Sequence, residues 1–139
     1  MIPATDIYEA VAFVLDAAGA GVWKPDGAYV KTETGIVLKK MPTAPDNAIV
    51  LTLYGRDTNP SPALTHEIIN LQVRVRTAKG RPDSVDTLAE RLTAALEGDH
   101  LTWSGITITK CHRISYLPLG FDASDRPEIS LNFQLILPR

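Results

Sequence analysis

Residues 69–76 read Ile-Asn-Leu-Gln-Val-Arg-Val-Arg, and their alternation decides the fold. Ile69, Leu71, Val73 and Val75 point one way, and Asn70, Gln72, Arg74 and Arg76 point the other. Strict period-2 alternation belongs to a strand of an antiparallel sheet with one covered face and one polar face. The pattern returns near the C-terminus. There Ile129, Leu131, Phe133, Leu135 and Leu137 alternate with Ser130, Asn132, Gln134 and Ile136. Between them in character is Ala48 to Tyr54, rich in β-branched residues, which reads as a buried strand.

The covered face needs something to cover it, and the periodicity changes to supply it. Gly80 to Pro82 turns the chain, and Asp83 or Ser84 then caps a helix. Val85, Leu88, Ala89, Leu92 and Leu96 form its apolar stripe, with Glu90, Arg91 and Glu97 off it, and Gly98 ends it. About fourteen residues span about 21 Å, the length of a six-residue strand. An earlier helix has Thr5 or Asp6 as N-cap and Glu9 in capping-box position. Its apolar face is Ile7, Val11, Val14, Leu15 and Ala18, and Gly19 and Gly21 stop it.

The remaining segments are shorter. Ala28–Val30 and Ile36–Leu38 are strand candidates. Leu101–Trp103 and Ile106–Lys110 flank Ser104-Gly105 as a hairpin, with Arg113–Leu117 as its continuation after a kink. Gly55–Thr65 and Pro118–Pro127 read as polar loops. Helix, strands, helix, strands gives an α+β domain over residues 1–139. The simplest architecture is a mainly antiparallel sheet with two helices packed on one face.

Composition narrows the function. The chain has 139 residues, 45% hydrophobic and 22% charged, with a net charge of −2. It can fold with roughly 7,000 Å² of surface and bury about two thirds of what it exposes unfolded. A non-specific nucleic-acid coat is normally basic. Cys111 stands alone, so neither an intrachain disulfide nor a Cys-based zinc site can form. The N-terminal apolar stretch is broken by Asp16 and too short to span a membrane, so a soluble cytoplasmic chain is expected.

Signals for chemistry are thin. His66, His100 and His112 are scattered. Cys111 and His112 are adjacent, which on a strand sends them to opposite faces, so a buried, inert Cys111 is expected. Asp122, Asp125 and Glu128 cluster, but Arg126 sits among them and the spacing is not that of an EF-hand. There is no nucleotide-binding glycine loop and no hydrolase or zinc-protease motif. No cofactor, metal or catalysis is expected. Arg74, Arg76, Lys79 and Arg81 form one basic run. It suits an ion-pairing surface for an acidic partner or passing DNA, or equally the solvated side of a sheet. Four charges without interleaved aromatics do not suit sequence-specific nucleic-acid readout.

Taken in order, "AIVLTLYG", "INLQVRVRT", "SVDTLAERLTAALEG" and "YLPLGFDASDRPEISLNFQLIL" resemble the tail-terminator or minor capsid proteins of long-tailed bacteriophages. In that family a basic-ended strand leads into a helix with small and apolar residues. A Pro-containing loop, an Asp, an Arg and an alternating strand then close the chain. Here these are Arg74 and Arg76, then Ala89, Leu92 and Leu96, then Pro118, Asp122, Arg126 and the strand from Glu128. Thr77 follows Arg76 where the family often has glycine. The resemblance implies a structural virion protein at the head-proximal end of the tail, assembled in the host cytoplasm. Its expected form is a homo-hexamer ring that caps the tail tube protein and joins the head connector or neck protein. DNA passes through the lumen without sequence-specific binding, and no membrane is involved. The expected interface is Arg74, Arg76, Pro118, Phe121, Asp122, Asp125 and Arg126, with the basic strand face of one subunit meeting the acidic loop of its neighbour. The alternatives are another head–tail connector, such as a head-completion or neck protein, and a small ligand-binding domain.

Overall fold

The structure is a computed structural model that describes residues 2–56 and 66–138. Among the described residues nine elements follow in chain order: α1 (Ala4–Ala17), β1 (Val22–Trp23), β2 (Gly35–Leu38), β3 (Ala48–Tyr54), β4 (His66–Arg76), α2 (Ser84–Leu96), β5 (Gly98–Trp103), β6 (Ile106–Phe121) and β7 (Pro127–Pro138). The strands form one seven-stranded sheet in the order β1-β2-β3-β4-β7-β6-β5. β1 to β3 run parallel to one another, and every other pairing is antiparallel. The fold is α+β with a mostly antiparallel sheet.

The two alternating segments lie side by side at the centre. β4 and β7 pair over eleven rungs, from His66 opposite Pro138 to Arg76 opposite Glu128. Ile69, Leu71, Val73 and Val75 join Ile129, Leu131, Phe133, Leu135 and Leu137 in one buried cluster. Ile7, Val11, Ala12 and Leu15 of α1 and Val85, Ala89, Leu92 and Leu96 of α2 complete it. The total surface is 7396 Å², close to that of a folded chain of this length. Among the described residues no helix is long and apolar enough to cross a membrane.

Several local expectations need correction. The α1 N-cap is Pro3, with no side-chain cap, rather than Thr5 or Asp6. A missing backbone N–H costs nothing at a helix start, where that donor has no intrahelical partner. Asp83 occupies the N-cap of α2, but its carboxylate takes Arg81 at 2.8 Å and makes no cap hydrogen bond. Leu88 is only partly buried. Ala28–Val30 is not a strand. Tyr29 turns its hydroxyl toward the Lys24 N–H and the Ile36 carbonyl, so this segment is held by a side chain and Val22–Trp23 pairs with β2 instead.

The Ser104-Gly105 hairpin forms as expected, with φ of 49° and 81° at its two turn residues. Positive φ at both positions matches the twist of a two-residue hairpin. The Pro118–Pro127 loop is much shorter than expected. β6 continues to Phe121, with register shifts between Arg113 and Ser115 and between Pro118 and Gly120. Each shift absorbs one extra residue, which is how the strand passes Pro118. Most of the Gly55–Thr65 loop lies outside the described residues.

Candidate assembly surface

The far ends of β4 and β6 and the start of β7 meet the segment before β3. β4 delivers Arg74 and Arg76 from its polar face, two residues apart, and their environments differ. The Arg74 side chain is 42% exposed, and its Nε donates to Glu128 Oε1 at 2.8 Å. Arg76 is 2% exposed. Its Nε donates to the Asp46 carbonyl at 2.9 Å, and its Nη2 donates to the Pro45 carbonyl at 2.8 Å. The expectation that both arginines face solvent therefore fails at Arg76. Pro45 is buried against the sheet there, so a face that pattern alone reads as polar is covered.

The turn after β6 is built around one carboxylate. Asp122 Oδ1 accepts the N–H of Ser124 at 2.9 Å and of Arg126 at 3.0 Å. Asp122 Oδ2 accepts Arg126 Nε at 2.8 Å and lies 4.0 Å from Arg76 Nη1. Arg126 Nη1 reaches across to the Thr43 carbonyl at 2.8 Å and to Asp46 Oδ1 at 3.0 Å. Asp125 completes the turn at φ 58° with its side chain exposed. The Arg126 N–H, followed by its guanidinium, holds the Asp122 carboxyl below the usual carboxylate range. Burial, and then the nearby Arg126, lower the pKa of Arg76 from its ordinary value.

Arg76, Asp122 and Arg126 are thus brought together within one chain. Of the basic strand and the acidic loop, expected to meet across two subunits, Arg76 and Asp122 come within 4.0 Å of each other inside one. Glu128 and Asp46 complete the network as partners of Arg74 and Arg126. Cross-strand register supplies part of it, because Glu128 stands opposite both Arg76 and Gly120.

Pro118 and Phe121 lie on the last turn-ward stretch of β6, leading into Asp122. Phe121 is 60% exposed and Leu117 56%, and Ile114 and Leu119 are also exposed. Sequence pattern alone does not single out Ile114, Leu117 and Leu119, the companions of Phe121. The signal was present as Leu117-Pro118-Leu119-Gly120-Phe121, whose apolar residues fit no single face.

The groups singled out for chemistry stay apart. Cys111 is buried, and its thiol is pushed up to about 12 by burial and then by Glu97, so it carries no thiolate at neutral pH. His66 and His100 are exposed, while His112 is half-buried. A groove of about 810 Å³ lies between the end of α1 and the start of α2. Its charges are mixed, and Arg81 and Arg91 already bond Asp83 and the Gly19 carbonyl. Among the described residues no group of His, Cys, Asp or Glu side chains is placed to hold a metal.

The family model described as bacteriophage tail terminator protein matches residues 14–139. The chain belongs to the bacteriophage tail terminator family. It is a structural protein of the phage tail and a component of the virion. No curated protein matches it significantly. Among solved structures it is similar to a chain of the virion of a native gene transfer agent particle, with a TM-score of 0.55 and 16% identity. That match covers 74% of this chain and 78% of the other, and at this identity it speaks for the fold. The family is structural, which implies a non-enzymatic role.

Proposed function

We propose that the chain is the subunit of a closed ring that caps the head-proximal end of the tail tube. The ring ends growth of the tube protein and offers its other side to the head connector, and DNA crosses its lumen without sequence-specific contact. Six copies are expected, assembled in the host cytoplasm. Family membership over residues 14–139 carries this reading. In this reading both helices cover one face of the sheet, and the turn of Asp122, Asp125 and Arg126 shapes one end of the subunit without supplying the ring's charge contact. A ring of head-to-tail copies needs two different patches per subunit. At about 800 Å² each, they would take about a fifth of the 7396 Å² surface.

Complementation of a phage lacking this protein tests the proposal. Without it, tails should grow to uncontrolled length, and supplying the chain should restore one length and head attachment. Tails of normal length that fail to join heads would assign it to the neck instead.

A further inference from the structure

The sheet has two open edges, and they differ in charge. On one side β1 pairs only with Gly35 and Ile36, which leaves Val37 and Leu38 of β2 without an outer neighbour among the described residues. On the other side the pairing of β5 ends at Cys111. From His112 to Phe121, β6 has β7 on its inner side and no strand on its outer side among the described residues.

The two openings lie on the same rungs. Leu38 stands opposite Leu51, then Val73, Leu131 and finally Tyr116. Val37 leads in the same way through Val50, Arg74 and Ser130 to Leu117. Each edge also exposes large apolar side chains. These are Val30 and Leu38 near β2, and Ile114, Leu117, Leu119 and Phe121 on β6.

Their charges are opposite. Residues 22–41 carry four lysines against Asp26 and Glu33, a balance of +2. Lys24 is bonded to Glu33 at 2.8 Å, while Lys31, Lys39 and Lys40 are exposed. Residues 84–121, up to the end of β6, carry four carboxylates (Asp86, Glu90, Glu97 and Asp99) against Arg91, Lys110 and Arg113, a balance of −1. Three of these carboxylates flank the open half of β6. Asp86 accepts the Tyr116 hydroxyl, Glu97 accepts the Arg113 N–H at 2.9 Å, and Glu90 lies one helical turn from Asp86.

We propose, resting on the ring reading above, that the open half of β6 receives the lysine-bearing β2 edge of a second copy of this chain. Large apolar side chains would meet in the centre, with Lys39 and Lys40 of one copy beside the Glu90 row of the next. The two register shifts and Pro118 blunt the β6 edge against backbone pairing, so side chains make the contact. Two different edges at one level generate a head-to-tail series, the form that closes into a ring.

Cysteine cross-linking of the full chain tests this, with the mass of the uncross-linked wild type measured by light scattering. Val37→Cys with Leu117→Cys, which lie on one rung and one face, should give, on mild oxidation, a ladder that ends at the ring. Either change alone should give none, because Cys111 is buried. Dimers from Leu117→Cys alone would mean that β6 meets β6, and would overturn the proposal. So would a wild type with the mass of a ring and no ladder from the double variant, while leaving the ring reading intact. A wild type of one chain's mass, both free and on tail tubes, would overturn the ring reading and this contact with it. As a second arm, Lys39→Glu with Lys40→Glu should weaken self-association by about tenfold. Adding Glu90→Lys should restore part of that loss. Failure of both charge effects would count against the proposal.

Discussion

Arg76 carries a guanidinium almost out of water, bonded to two backbone carbonyls and close to one carboxylate. Removing it leaves those acceptors buried without a donor, which costs more than an ordinary hydrogen bond. Arg76→Ala should therefore cost about 3 kcal/mol in urea unfolding. Arg74→Ala, half-exposed, should cost no more than about 1 kcal/mol. Equal losses would show that the difference in burial has no energetic meaning. Acid should act through Asp122. Its folded pKa lies below its ordinary value of 3.8, so its contribution is present above that value and is lost as pH falls through the folded one. Glu33, held by Lys24, and Asp83, held by Arg81, act in the same direction. Stability should decline below about pH 4, and less steeply in Asp122→Asn, as read by thermal unfolding across pH. An unchanged slope would mean that the other carboxylates carry the effect.

Among the elements, α2 separates what pattern can see from what it cannot. Its stripe predicts Leu88 and Leu92 as equals, yet Leu92 is fully buried and Leu88 only partly. Leu92→Ala should cost about 2–5 kcal/mol, and Leu88→Ala clearly less. A loss at Leu92 under about 0.5 kcal/mol would misplace the helix. β4, β7 and the Ser104-Gly105 hairpin were legible because local signals, alternation and turn chemistry, settle them. β1 was not. Two residues make no periodicity, and Val22–Trp23 is a strand only because β2 lies beside it. The buried Arg76 was illegible for the same reason, since the residues that cover it, Pro45 and Asp46, are about thirty positions away. Sequence placed Asp122 and Arg126 in one candidate surface with Arg74 and Arg76. It could not tell that Arg76 and Asp122 would meet within one chain.

At the scale of the whole molecule, the question is what the exposed apolar residues of β6 are for. Scattered apolar residues on a surface need no explanation. Ile114, Leu117, Leu119 and Phe121 instead follow one another along one strand, on an edge that no other strand of the described residues pairs with. Side chains that remain this exposed in the monomer add little to its folding, because little apolar area leaves water. If they serve assembly, stability and function must separate. Leu117→Ser with Phe121→Ser should leave the urea midpoint of the monomer within the equivalent of about 0.5 kcal/mol. The same variant should fail to form the ring in solution and should give tails of uncontrolled length in complementation. Leu92→Ala provides the opposite control, since it lowers stability without touching the edge. If the serine variant capped tails normally, the apolar edge would be incidental, and the contact between copies would have to lie on the polar face of the sheet around Gln72 and Asn132.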